Sequence, residues 1–501
     1  MENLNEIPPQ KLRFDDPFKA PMSSQKIVSV KPTSGQSITG ASSSDSITFK
    51  LPSAGVLDCA SMYVKYTVTP SVTAGSSGGI ACVGVVADEF SPDSSIFQRM
   101  KVFSSDGTQV SDTAHYNTYC SVMNRLKKTK EEAESRGSIV CGNGVAEGEA
   151  LSDTGALFAD AFNYTNATRA EDAAITATDL LIRKQEGCER NARLLSQFNV
   201  GQQGAGGVRT GAESTVCHKI QSGLLDNETG HLLPTFAMGS GYQLTLDLAA
   251  PNVAFRAVGS NAEGKLGAID AVHTDAVISY NVTNVELVCS LNFYDSSIFS
   301  SINQLLCDGI KLAHPRVKTQ ENAISSQSGN YQLAEHGRSI NYLVAGMRKS
   351  ANLGKHNETE NDFVWRNSGA WLSKFQCQVG TQIIPSQSVV YGAQSFLELE
   401  RAIDGSGEGK MIGNQVSAPN YWKNESQGEK VSGSALFGVN FRSQPQQKGV
   451  LSGLSSSSGS IPLSLQLELN VAPDVASSLF TIVGASQVTE LLHDGSCVIS
   501  R

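Results

Sequence analysis

The chain of 501 residues exceeds one typical domain, so its length predicts two or three domains. Hydrophobic residues make up 40% and charged residues 17%, which suits folded cores and excludes a disordered chain. The net charge of −9 argues against a protein whose main task is to hold DNA or RNA, and the 46 glycines between short apolar runs are typical of all-β proteins.

Residues 1–25 contain four prolines and no apolar periodicity, which predicts an extended N-terminal arm. The first ten residues, MENLNEIPPQ, lack the basic start and apolar core of a signal peptide. No run approaches the roughly 20 apolar residues that a membrane-spanning helix needs. We therefore expect synthesis in the cytosol without secretion.

The next part of the chain predicts short strands in which apolar and polar residues alternate. These predicted strands are residues 26–30, 46–51, 61–69, 96–103 and 108–110. The last two flank Asp106-Gly107, a pair that tolerates the positive φ of a tight hairpin turn.

A helix and a long loop follow the hairpin. Apolar residues spaced by three and four from Tyr119 to Leu126 predict the helix. Residues 137–216 are rich in Gly, Ala, Asn and Asp with weak periodicity, which predicts an elaborated surface loop.

A strand with leucine at every second position occurs twice, over 242–249 (YQLTLDLA) and 461–470 (IPLSLQLELN). The alternation places the leucines on one face. The residues that it places on the opposite face include Thr245, Asp247, Gln466 and Glu468. The two copies lie roughly 220 residues apart, about the size of one β-sandwich with long loops. The chain is therefore predicted to contain two consecutive sandwiches.

Between the copies, residues 282–293 predict a long strand and residues 297–308 a short helix. Ser297 is the expected N-cap of this helix and Gly309 its C-cap, so it would connect the two sandwiches.

The second half, like the first, predicts short strands together with a helix and a long loop. Its predicted strands are 339–347, 371–379, 382–385, 435–441, 478–483 and 488–492. A helix is predicted over 393–403 and a second long polar loop over 404–434.

Three glycine-rich stretches superficially match catalytic or phosphate-binding motifs. Gly75–Gly79 fits G-x-S-x-G, but it lies in a Ser/Gly turn and not between a strand and a helix. Residues 201–207 and 404–410 lack the Lys-Ser/Thr pair of a phosphate-binding loop. The first is interpreted as a turn between strands and the other two as flexible loops.

The histidines and cysteines give no metal or redox signature. None of the eight histidines pairs at ligand spacing, and the neighbours Cys217 and His218 would point to opposite faces of a strand. The ten cysteines form no C-x-x-C pair, so they are predicted to be buried free thiols, for example Cys289 and Cys377. We therefore predict no catalytic, cofactor-binding or metal-binding residues, and no enzymatic activity.

In its order of elements the chain resembles the double-jelly-roll major capsid proteins of the tectivirus–adenovirus lineage. The likeness is greatest to those of algal large DNA viruses, virophages and polinton-like viruses. The stretches that carry it are 95–110 with the following helix at 116–126, 219–248 with Leu233-Pro234, 375–385, and 437–442 with 449–470. The likeness spans most of residues 26–501, and the two long loops cannot be matched.

The resemblance implies an all-β fold of two consecutive eight-stranded jelly-roll β-sandwiches with short helices and long surface loops. The arm at 1–25 would precede a first jelly roll at 26–295 and a second at 296–501. Three chains would form a homotrimer, a pseudo-hexagonal capsomer of an icosahedral DNA virus shell. The implied partners are neighbouring capsomers, penton proteins and minor capsid proteins. An internal membrane beneath the shell is left open, and direct sequence-specific binding of nucleic acid is not implied.

The alternative from another class is a receptor- or glycan-binding viral β-sandwich protein. Such proteins usually carry one barrel with a stalk or repeats, and the sequence has neither. A carbohydrate-active enzyme would need paired carboxylates in an aromatic cleft. Aromatic residues make up only 7% of the chain, and its only tryptophans are Trp365, Trp371 and Trp422.

Overall fold

The computed structural model describes most of the predicted sandwich regions. The described residues are 22–73, 82–88, 91–129, 132, 208–210, 213–236, 241–260, 266–267, 277–350, 353, 363, 366–367, 370–404, 416, 435–443, 453–456, 462–473, 475–492 and 496–500. Residues 1–21 of the predicted arm, most of the two predicted loops and the glycine-rich stretches at 75–79, 201–207 and 405–410 lie outside this set.

The first thirteen strands form three antiparallel sheets. Sheet A has six strands, in the order β1 (Met22–Val30), β13 (Val277–Tyr294), β3 (Val56–Thr73) and β7 (Val208–Thr210), with β8 (Ser214–Lys219) and β9 (Leu232–Leu233) also paired to β3. Sheet B has the order β2 (Ser46–Lys50), β10 (Gln243–Leu248), β5 (Phe97–Phe103) and β6 (Gln109–Thr113). A small third sheet joins β12 (Leu266–Gly267), β11 (Arg256–Ser260) and β4 (Cys82–Val86).

The remaining strands form two five-stranded antiparallel sheets. Sheet C has the order β14 (Ile310–Ile324), β22 (Ser477–Leu491), β16 (Ile340–Lys349) and β20 (Leu436–Asn440), with β23 (Cys497–Ser500) paired to β22. Sheet D has the order β15 (Ser328–Leu333), β21 (Leu463–Leu469), β18 (Ala370–Val379) and β17 (Arg366–Asn367), with β19 (Gln382–Val390) paired to β18. The predicted all-β double-sandwich class is confirmed, and short strands extend the sheets.

The two leucine-alternating strands lie in the middle of their sheets. β10 lies between β2 and β5, and β21 lies between β15 and β18. Leu244, Leu246 and Leu248 are fully buried, whereas Thr245 and Asp247 between them are half-buried. The leucines of β21 are buried in the same way. A register slip of one residue would turn every leucine outward, so this alternation fixes the strand pairing.

Four helices occur among the described residues, namely α1 (Tyr116–Lys127), α2 (Pro251–Ala254), α3 (Ser296–Asp308) and α4 (Ala393–Asp404). None of these helices is long and apolar enough to span a bilayer.

The connector helix α3 departs from its prediction in two respects. It starts one residue early, so its N-cap is Asp295 and not Ser297, and no side chain caps it. Leu306 is buried and Leu305 is 57% exposed, whereas Ile298, Phe299 and Ile302 are half-buried, so the apolar residues of the helix are only partly covered. Gly309 follows the helix with a φ of 85°, as a C-cap requires.

Several strand boundaries also differ from the predicted ones. β1 begins at Met22, inside the predicted arm, and β8 begins inside the loop predicted to end at residue 216. Residues 477–491 form one continuous strand where two were predicted. Gly484 within this strand leaves room for the Tyr342 ring of β16, which a Cβ at that position would overlap.

Replacing a core leucine should cost far more than replacing an exposed isoleucine of the same sandwich. We expect Leu244→Ala to lower the free energy of unfolding by about 2–5 kcal/mol through lost burial and a residual cavity. The control Ile27→Ala, whose parent side chain is 74% exposed, should change it by less than about 0.5 kcal/mol. Urea titrations followed by tryptophan fluorescence would measure both, and equal effects would contradict this assignment of the core.

Candidate functional site

Helix α1 is buried on all sides, which is unusual for a helix that follows a surface hairpin. Every residue from Tyr116 to Leu126 is buried. An ordinary surface helix keeps one polar face in water. The guanidinium of Arg125 lies over the Phe363 ring, 5.8 Å from its centroid, on the side of sheet C. α1 therefore lies between the two sandwiches and belongs to the cores of both, a region that we call the junction.

Two buried arginines and two phenylalanine rings form a stack at the junction. The Phe363 and Phe480 ring centroids are 6.2 Å apart. Arg348 lies over Phe480 at 5.0 Å, as Arg125 lies over Phe363. Both arginine side chains are almost completely buried. Cation–π attraction strengthens when water is excluded. The Arg125–Phe363 contact therefore links α1 to the second sandwich by more than apolar burial, and the Arg348–Phe480 contact stabilises sheet C beside it.

The Arg348 guanidinium also forms an ion pair with Glu321 on β14. The Nη2–Oε2 distance is 3.0 Å and the Nε–Oε1 distance is 3.3 Å, a two-point geometry. Burial raises the pKa of the Glu321 carboxyl, but the charge and hydrogen bonds of Arg348 lower it further, so that it stays below its usual value. Burial, together with the Arg348 charge, lowers the pKa of neighbouring His115. His115 is therefore neutral at pH 7, and its ring packs edge-on against Phe480.

Hydrogen bonds connect the two sandwiches where edge strands β6 and β14 approach each other. Gln487 Nε2 donates to the Val110 carbonyl at 2.8 Å, and Thr319 Oγ1 donates to the Ala114 carbonyl at 2.7 Å. The Gly223 amide donates to the Pro315 carbonyl at 3.1 Å. These bonds satisfy backbone groups of two strand edges that would otherwise invite pairing with other chains.

A second polar cluster, of Asp93, His218 and Tyr116, anchors α1 to the first sandwich. His218 Nδ1 lies 2.8 Å from Asp93 Oδ2, and His218 Nε2 lies 2.9 Å from Tyr116 Oη. The Gln221 amide donates to Tyr116 Oη, which leaves the tyrosine hydroxyl proton for His218 Nε2 and the Nδ1 proton for Asp93. Each member of the cluster thus has a hydrogen-bond partner.

Burial decides what this cluster can do. Asp93, His218 and Tyr116 are at most 2% exposed, so a substrate cannot reach residue types that elsewhere serve in catalysis. Burial raises the pKa of the Asp93 carboxyl, but its hydrogen bonds with His218 and Ser91 lower it by more, so that it falls below its usual value. No local sequence pattern marks this cluster, because its members are up to 125 residues apart.

The described cysteines lie in buried, half-buried and exposed environments. Cys217 is half-buried and His218 fully buried on opposite faces of β8. Cys289 and Cys377 are buried free thiols, and burial raises the pKa of Cys289 to about 11. Cys307 on α3 is exposed, contrary to the prediction of burial. The described residues contain no group of three or more metal-binding side chains.

The buried Asp93 carboxylate should make stability depend on pH only under acidic conditions. The pKa of Asp93 is lower in the folded protein than in the unfolded chain. Its contribution to the free energy of unfolding is therefore complete above about pH 3.8, and it is lost as the pH falls through the pKa of the folded state. We expect Asp93→Asn to destabilise the protein by about 2 kcal/mol or more at pH 7. The difference in unfolding temperature between wild type and variant should become smaller below pH 3.8. A difference that stays constant across pH would contradict this role of Asp93.

Loss of the buried Arg348 pair should be costly, whereas loss of an exposed pair should not. Arg348→Met leaves the Glu321 carboxylate without its two-point partner, and we expect a loss of about 2 kcal/mol or more. The control is Lys374→Met, which removes an exposed pair with Glu468 at 3.0 Å and should cost less than about 1 kcal/mol. Unfolding temperatures of the two variants would test this, and similar losses would argue against a stabilising role of the buried Arg348–Glu321 pair.

No protein-family model and no curated protein sequence matches this chain. The fold is similar to that of the Faustovirus major capsid protein, with a TM-score of 0.55 and 9% identity over 96% of this chain and 92% of that chain. It is also similar to the mavirus major capsid protein, with a TM-score of 0.52 and 11% identity over 99% and 93%. A chain of the Sputnik virophage gives a TM-score of 0.54 at 11% identity over 99% of this chain and 92% of that chain. The fold implied by the four sequence stretches is confirmed.

Proposed function

We propose that this protein is a major capsid protein, a structural subunit whose copies assemble into the shell of an icosahedral virion. The observation that carries the proposal is the extent of the likeness. It covers 96% or more of this chain and 92% or more of two major capsid proteins, so that both sandwiches take part. In this role the chain works by burying surface between subunits and carries out no reaction.

In finer detail, we propose that three copies form one capsomer with six sandwiches in a pseudo-hexagonal outline. The first sandwich would extend over residues 26–295 and the second over 296–501. Neighbouring capsomers, penton proteins and minor capsid proteins would be its partners. The arm would lie on the inner side of the shell, where a membrane is a further candidate partner. The junction supports this arrangement, because buried contacts hold the two sandwiches of one chain at a fixed angle.

Exposed apolar side chains on sheet D and on helix α4 support association through surfaces other than the junction. Val390 at the end of β19 and Leu397 on α4 are both at least half exposed, and Trp371 on β18 is 40% exposed. β19 pairs only with β18 among the described strands, and a bulge and Pro385 interrupt its pairing. An edge interrupted in this way resists indiscriminate strand pairing, while the apolar side chains around it remain available to a specific neighbour.

The mass of the purified protein in solution tests the capsomer. One chain has a mass of 53.2 kDa, so we expect a stable species of about 160 kDa by light scattering, and hexagonal particles by electron microscopy. A protein that stays monomeric up to high concentration would contradict the trimer. Binding of glycans or a receptor by that monomer would then favour the alternative of a binding β-sandwich.

A further inference from the structure

A polar cavity lies at the junction, in the gap between the edge strands β6 and β14. Its volume is about 250 Å³. Its lining comes from both sandwiches, namely Gln109, Val110, Ser111, Asp112, Thr113, Ser222, Gly223, Pro315, Arg316, Val317, Lys318 and Gln487. A cavity of this size holds several water molecules or one small hydrated ion.

Side-chain hydrogen-bond donors line this cavity from both sandwiches, among them Gln109, Arg316 and Lys318. The side-chain amide nitrogen of Gln109 is buried and has no hydrogen-bond partner, so two N–H groups await an acceptor. Lys318 Nζ lies 3.8 Å from Asp112 Oδ2, which is too far for a hydrogen bond. A buried donor without an acceptor is costly, and its persistence here points to a ligand that accepts hydrogen bonds.

The carboxylates near the cavity are already engaged by cations. Asp112 accepts from Arg99 Nε at 2.7 Å and from Arg99 Nη2 at 2.8 Å. Glu335 Oε1 lies 3.2 Å from Arg316 Nη1. The three cations Arg99, Arg316 and Lys318 therefore face two carboxylates, which leaves one positive charge in excess. Burial raises the pKa of Asp112, but the hydrogen bond of Arg99 and the charge of Lys318 lower it further, so that this carboxylate stays ionised.

We propose that the cavity binds a small oxyanion, of the class of inorganic phosphate or a phosphate monoester. The Gln109 amide from the first sandwich and the Lys318 ammonium from the second would donate to it, with Arg316 alongside. Oxyanions combine several acceptor oxygens with negative charge, which matches these donors better than water does. The anion would bridge β6 and β14 and stabilise the junction. This proposal does not depend on the capsid function.

Thermal unfolding of the full-length protein, in phosphate and in chloride at equal ionic strength, tests the proposal. We expect a rise in unfolding temperature that saturates with phosphate concentration, as binding to the folded state alone requires. Lys318→Met and Gln109→Leu should each weaken phosphate binding by roughly tenfold or more, the effect of losing a hydrogen bond to a charged group. The matched control Lys311→Met changes an exposed lysine of β14 outside the cavity lining and should bind phosphate like wild type.

The phosphate-dependent increment is read within each variant, so a general loss of stability does not obscure it. Phosphate also stabilises proteins nonspecifically by exclusion from their surfaces. An increment that is unsaturated, or equal in all four proteins, would overturn the proposal. Isothermal titration with inorganic phosphate and then with methyl phosphate distinguishes the two sources of the ligand. Saturable binding of either compound supports the site. If neither compound gives a binding heat, the proposal is contradicted.

Discussion

The structure depends on the burial of helix α1 between the two sandwiches. Its first residue, Tyr116, is tied through His218 to Asp93 of the first sandwich, and Arg125 near its end stacks on Phe363 beside sheet C. Both contacts are polar or charged and are nearly free of water. Electrostatic interactions are stronger in such surroundings, and a polar group that loses its partner there is costly. The helix therefore fixes the position of one sandwich relative to the other.

The junction also explains why β14 has the most polar sequence among the long strands. This strand pairs with β22 along its full length, from Ile310 to Ile324. Its other edge meets β6 across side-chain hydrogen bonds and the polar cavity, so Arg316 and Lys318 suit positions that would be apolar in an ordinary core. Polar groups at such a contact favour one arrangement of the two sandwiches, since most alternatives would leave them unpaired.

Local patterns in the sequence were sufficient for the elements with one buried face. The leucine alternation of β10 and β21, the Asp106-Gly107 hairpin and the Gly309 C-cap were all predicted and are present. The patterns failed where an element contacts both sandwiches. β14 was missed because its polar residues hide the period of two, and the full burial of α1 was missed because its polar residues resemble a solvated face. The Asp93 cluster left no local signal, since tertiary folding alone brings its members together.

The position of the junction also constrains how copies could associate. Edges β6 and β14 face each other inside one chain, and the side chains of Phe480 and Arg348 on sheet C are buried there. In the proposed capsomer, contacts between copies would use the other surfaces. β1 and β19 each pair with a single strand among the described residues, and Ile27 and Val390 on them are strongly exposed. A fixed angle inside the chain and open edges outside it are what a repeating tile requires, because each copy must present the same surfaces in the same orientation.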